Sequence, residues 1–153
     1  MTYSIKFKDV TAAVSNISIS GVTVKDITGI PEQALMLCPL IFPVPNFVTN
    51  LKTTIDTLGT AGSERITLEY DINYIYAHCA INANVGGLYS MYSGLVTNII
   101  AVLVAMLIND NPRDGVTMRV GTVSNAGAVN DPAGNTYWGC AFSLHVTEFT
   151  EVP

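Results

Sequence analysis

The sequence predicts an α+β domain, with a mainly antiparallel sheet packed against one long buried helix and a shorter N-terminal helix. Three stretches carry that prediction. Ile66 to Tyr76 alternates Ile66, Leu68, Tyr70, Ile72, Tyr74 and Tyr76 with Thr67, Glu69, Asp71, Asn73 and Ile75, the period-two pattern of a half-buried strand. Leu88 to Ile108 is apolar nearly all round at helical spacing and must be covered on several sides. Trp138, Cys140, Phe142, Leu144 and Val146 alternate against Gly139, Ala141, Ser143, His145 and Thr147, giving a closing strand that runs almost to the last residue. Strands on both sides of one long helix, after a leading helix, define α+β.

Along the chain, Phe7, Val10, Val14 and Ile17 step by three and four residues, the stripe of a short amphipathic helix, with Thr11, Ser15 and Ser18 outside it and Gly21 as a stop. Val22 to Val24 suits an extended segment. In EQALMLCPLIFPVP, the apolar runs Ala34 to Cys38 and Leu40 to Phe42 are punctuated by Pro39, Pro43 and Pro45. Proline cannot donate to a ladder, so an edge strand or extended arm is expected, covered by a neighbouring subunit. Asn46 to Leu58 is expected to hold an irregular turn or short helix, and Gly59, Gly62 and Ser63 a loop. Ala80 to Gly87 turns into the central helix, which Asn109 closes and Pro112 keeps from continuing. Val116 to Val123 reads as a strand. SNAGAVNDPAGN reads as a flexible loop, too long for a tight hairpin.

The 153 residues form a single domain, 1–153, long enough to build a core without disulfides or a metal. Charged residues are only 12% and hydrophobic residues 49%, against a usual charged share of about 25%. So few charges cannot cover a free surface, which favours burial against partners. A net charge of −5 and seven scattered Lys and Arg residues argue against a grip on nucleic acid. Cys38, Cys79 and Cys140 are far apart and match neither a redox nor a zinc spacing, so they read as small buried hydrophobes in a reducing compartment. MTYSIKFKDV has no apolar signal core.

No Asp, Glu, Lys or Arg lies between Asp71 and Asp110, which raises the question of a membrane span. Ser90, Ser93, Gly94, Thr97 and Asn98 interrupt the first half of the helix, and no basic cluster flanks it. A covering of protein, not lipid, is expected. Catalytic signals are weak. Glu69 and Asp71 share one strand face, where a glycosidase pair would have to flank the substrate. His78 and Cys79 point to opposite faces. His145 shares its face with Ser143 and Thr147 but has no identifiable acidic orienter. Tyr70, Tyr74 and Tyr76 read as core, not as a stacking platform. No known catalytic, nucleotide or metal motif appears, so neither catalysis nor a cofactor is expected.

The order of these segments resembles the tail terminator proteins of long-tailed bacteriophages. The resemblance lies in the leading helix, the proline-bounded LCPLIFPVP, the long strand RITLEYDINYIY and the helix LVTNIIAVLVAMLI. It continues in the loop with Asn130-Asp131-Pro132 and Gly134 and the closing TYWGCAFSLHVTEF, covering nearly all of the chain. It implies a structural virion protein, assembled in the host cytoplasm and placed in the tail near the neck. There a homo-oligomeric ring, usually of six copies, ends growth of the tail tube and joins tail to head. The implied partners are further copies of the chain, a tail-tube protein and a head-completion or neck protein, with DNA only in passage and no membrane. By the same analogy, subunit contacts are expected at Leu40, Ile41, Phe42, Pro43, Arg113, Arg119, Asn125, Asn130, Asp131 and Tyr137. Glu69 and Asp71 are expected on the exposed sheet face, toward the lumen. Another neck or tail-tube subunit, or a small-ligand-binding α+β module, are the alternatives.

Overall fold

The structure is a computed structural model that describes residues 5–25, 38–58, 63–82, 86–109, 112, 114–124 and 126–152. Its elements are α1 (Ile5–Ser15), β1 (Thr23–Val24), β2 (Leu40–Leu58), β3 (Ser63–Ala80), α2 (Leu88–Ile108), β4 (Val116–Val123), β5 (Gly127–Asn130) and β6 (Thr136–Val152). They form one curled, mostly antiparallel sheet of order β1-β2-β3-β6-β4, with β5 pairing the start of β6. Only β1 is parallel to its neighbour, through Thr23 opposite Leu40 and Val24 opposite Ile41. The α+β class therefore holds.

The strongest strand patterns form the centre of the sheet. β3 and β6 stay in register from Glu64 opposite Val152 to Ala80 opposite Tyr137, with a single irregularity between Ala77 and Cys79. Their apolar positions share one face, where Tyr70, Ile72, Tyr74, Tyr76, Cys140, Phe142, Leu144 and Val146 are buried with Val116 and Met118 of β4. Both helices lie on that face. α1 contributes Val10 and Val14, and Ile17 follows just past its end. Thr11, outside the most apolar stripe of α1, is nonetheless buried, and its hydroxyl donates to the Lys8 carbonyl, 3.0 Å away. That internal bond removes the cost of covering the hydroxyl. Lys6 reaches across to β6, bonding the Phe149 carbonyl and the Thr150 hydroxyl. Aromatic rings tie the layers together. Phe7 meets Phe47 and Tyr70, Phe47 stands edge-on to Tyr74, and Tyr74 stacks on Phe142 at 5.7 Å.

Three expectations are corrected. Asn46 to Leu58 is strand, continuing β2 along β3 as far as Leu58 opposite Ser63. The β-branched residues of that segment find a long partner strand, and tertiary pairing outweighs its weak local pattern. Pro43 and Pro45 sit within β2 because the ladder shifts register between Pro43 and Val48, and such irregularities tolerate a missing N–H. SNAGAVNDPAGN is not an open loop: β5 inside it pairs Gly127 to Asn130 with Gly139 to Thr136 of β6. Finally, α2 is not buried all round. It turns Met91, Leu95, Ile99, Val102 and Met106 inward, while Val96, Ile100, Val104, Leu107 and Ile108 stay exposed. The described residues form a single sheet, and one sheet covers one side of the helix.

Candidate functional site

The sheet face opposite the helices changes character along its length. At one end Leu40, Phe42, Ile75, Ala77 and Tyr137 form a second, smaller apolar cluster. At the other, cross-strand register lines up Thr49, Asp71 and His145 on β2, β3 and β6, with Lys52, Glu69 and Thr147 beside them. Arg119 of β4 stands opposite His145 in the ladder and is exposed. Polar side chains thus gather there by strand register, from positions 49 to 147.

His145 is the centre of this group. Its Nδ1 lies 2.8 Å from an Asp71 oxygen and its Nε2 3.3 Å from a Glu69 oxygen. Asn50 donates from its side-chain amide to the other Asp71 oxygen at 2.7 Å. Asn50 has φ 57°, the left-handed region that asparagine tolerates better than most residues, at the second register shift of β2. Three strands are therefore cross-braced through one carboxylate. The acidic orienter that the sequence did not reveal is Asp71, and the Ser143 hydroxyl is engaged elsewhere, with the Thr122 amide and hydroxyl at 3.0 Å.

The electrostatics follow from these contacts. The hydrogen bond to Asp71 raises the His145 pKa above its ordinary 6.5, and Glu69 adds to the rise against the opposing effect of burial. Burial works to raise Asp71, but the bonds from Asn50 and His145 outweigh it and hold the carboxyl below its ordinary 3.8. His78 shifts the other way. It is half-buried, 3.0 Å from the Tyr76 hydroxyl, and burial lowers its pKa. The two histidines should therefore titrate on opposite sides of 6.5 in a proton NMR titration of the folded protein. His145→Gln should abolish the upper transition. A raised histidine stabilises fully below 6.5 and less as pH rises through its folded value, whereas a lowered aspartate stabilises above 3.8 and less as pH falls through its own. The brace is accordingly complete between pH 3.8 and 6.5, and two titrations merging near 6.5 would rule it out.

Chemically the arrangement is a clamp. Both imidazole nitrogens of His145 face carboxylates, leaving neither free to take a proton from a nucleophile, and no thiol adjoins it. The thiols are poor nucleophiles, since burial pushes Cys38 and Cys140 each up to about 11 and raises Cys79 as well. Among the described residues no group of three or more His, Cys, Asp or Glu side chains is arranged to hold a metal ion.

The predicted contact residues separate into distinct environments. Leu40, Ile41, Phe42 and Pro43 are buried within the subunit, Leu40 and Ile41 between β1 and β3, and Phe42 and Pro43 paired with β3. Asp131 and Tyr137 are also internal. The Asp131 carboxylate accepts from the Asn135 amide at 2.9 Å, the Asn135 side chain at 3.0 Å and the Tyr137 hydroxyl at 2.8 Å. It braces the β5–β6 turn, with the exposed Asn130 accepting a bond from the Thr136 hydroxyl. Arg119 is exposed, whereas Arg113 and Asn125 lie outside the described residues. Glu69 and Asp71 do stand on the bare sheet face, half-exposed.

Three features escaped the sequence reading: His145 with its two acids, the outer side of α2, and the outer edge of β2, where Leu51 and Ile55 are 65% and 64% exposed. Alternation in β3 and β6 already placed Asp71 and His145 on polar faces, but only their register made them neighbours. Compared with known proteins, the chain matches no protein-family model and no curated protein.

Proposed function

We propose that the chain is a structural subunit that joins head to tail into a closed ring at the head-proximal end of a bacteriophage tail tube. There it would end tube growth and join tail to head. The observation that carries this reading is the sheet's two open edges. β1 covers only Leu40 and Ile41 of β2, and from Val48 to Leu58 the outer side of β2 pairs with no strand among the described residues. At the other end of the order, β4 pairs only with β6 among the described residues.

Unpaired strand edges invite another chain, and soluble monomers usually blunt them with charge or proline. Here the outer part of β2 has Leu51 and Ile55 exposed and Lys52 and Asp56 as its only charges. Two different edges on one subunit make a heterologous contact, which closes into a ring when the rotation between copies is a simple fraction of a turn. Burial of this surface and of the outer side of α2 in the assembly would also account for the 12% charge content. The layout shared with tail terminators supplies the biological setting. In this reading Glu69 and Asp71, with Lys52 and Arg119 beside them, would face the lumen through which DNA passes.

Light scattering on a sizing column, in salt buffer without detergent, tests the ring. A closed species of six chains, or of twelve where two rings pair, is expected, and binding to purified tail tubes should follow. Leu51→Lys with Ile55→Lys should reduce that species to smaller units while leaving the circular dichroism unchanged, because both side chains are exposed. A wild-type chain that neither assembles alone nor binds tail tubes would remove the reading. A ring indifferent to the double lysine variant would exclude β2 as the contact.

A further inference from the structure

α2 presents two apolar sides, and the described residues cover one. On the other, Tyr89, Val96, Ile100, Val104, Leu107 and Ile108 are between 49% and 88% exposed. Tyr89, Ser93, Val96, Ile100 and Leu107, with Leu103 at the border where it also packs on the core, follow at steps of four and three residues, the a/d spacing by which one helix packs along another. We infer that this seam is covered by the α2 helix of a second copy of the chain, in a two-fold contact of helix on helix.

Three observations select that occupant. Tyr89, Val96, Ile100, Val104, Leu107 and Ile108 together expose on the order of 700 Å² of mostly apolar surface, above the few hundred a free monomer usually shows and close to the roughly 800 Å² each partner gives a standard interface. The spacing calls for a helix, and a strand or loop does not present side chains in that rhythm. No Asp, Glu, Lys or Arg occurs anywhere on α2, so pairing with itself meets no like charge and leaves no ion uncompensated. The Thr97 hydroxyl, beside the seam, donates to the Ser93 carbonyl within its own helix at 2.7 Å and can be covered without a new partner. Lipid is the competing cover, since α2 is long and apolar enough to cross a membrane. Its inner side, however, is held on the sheet by Met91, Leu95, Ile99, Val102 and Met106, which a spanning helix would have to release.

The seam and the strand edges are separate surfaces, so this contact stands or falls apart from the ring. Ile100→Asp with Leu107→Asp should halve the native mass at micromolar concentration and weaken self-association at least a hundredfold, with the melting temperature of the separated chains unchanged. Independently, Ile100→Cys in a Cys38→Ser, Cys79→Ser background should give a two-chain product with a short bis-maleimide, and Thr117→Cys, exposed on β4, less than a tenth as much. The Leu51→Lys, Ile55→Lys variant should retain the Ile100→Cys product even where the ring is lost. Unchanged mass in the double aspartate variant together with no preferential crosslink at Ile100 would overturn the seam. Flotation of the wild-type chain with phosphatidylcholine–phosphatidylglycerol vesicles, lost in the double aspartate variant, would overturn it in favour of lipid.

Discussion

Replacing Gly139 by alanine is expected to cost about 3 kcal/mol of stability, the scale of severe overpacking, and to lower the melting temperature by roughly 6–12 °C. A Cβ at this position would sit 2.0 Å from the carbonyl oxygen of Tyr76 and 3.0 Å from the Tyr76 carbonyl carbon and the Val129 side chain. The clash is with backbone, which cannot swing aside as a side-chain tip can. It also falls where β6 carries β3 on one side, through Gly139 opposite Ala77, and β5 on the other, through Gly127 opposite Gly139. Relief would require separating strands at the centre of the fold. Gly127→Ala is the matched control, because a Cβ there meets nothing within 4 Å. Its effect should stay within about 0.5 kcal/mol in either direction. Equal melting temperatures for the two variants would show that β5 and β3 do not both pack against Gly139 as described.

Asp131→Ala should cost about 2–3 kcal/mol, the price of stranding buried donors. The carboxylate is 5% exposed and accepts the Asn135 amide, the Asn135 side chain and the Tyr137 hydroxyl, while its backbone N–H donates to the Asn135 carbonyl at 3.0 Å. Burial acts to raise its pKa, but the bonds from Asn135 and Tyr137 outweigh it and hold the carboxyl below the ordinary 3.8. A lowered carboxylate contributes fully above 3.8 and loses its contribution as pH falls through the folded value. The difference in urea midpoint between wild type and Asp131→Ala should therefore be full at neutral pH and shrink in acid. Tyr137→Phe should cost less than Asp131→Ala, and the double variant less than the sum, since the two share a bond. A difference that does not change with pH would count against an ionised brace.

Deleting residues 125–134 removes β5 and the Asp131 brace along with any recognition surface. Lost activity in such a deletion would report on folding of β6 as much as on contact with a partner. The Asp131→Ala variant, which leaves β5 in place, separates the two.

Local pattern in the chain determined the α+β class, the alternating strands β3, β4 and β6, the extent and C-terminal closure of α2, and the core positions of Tyr70, Tyr74 and Tyr76. These depend on periodicity and end signals within one segment, which a single sequence displays directly. Tertiary structure decided what depends on a partner strand. Asn46 to Leu58 became strand because β3 was there to pair with it, and Leu40 to Pro43 turned inward because Leu40 and Phe42 fall opposite Ala77 and Ile75. Asp71 and His145, 74 positions apart, became a brace through the register of two long strands. The same distinction explains α2. Its composition announces that every side needs covering, but composition carries no account of how many sides one sheet can reach, and that number is set by the geometry of the fold.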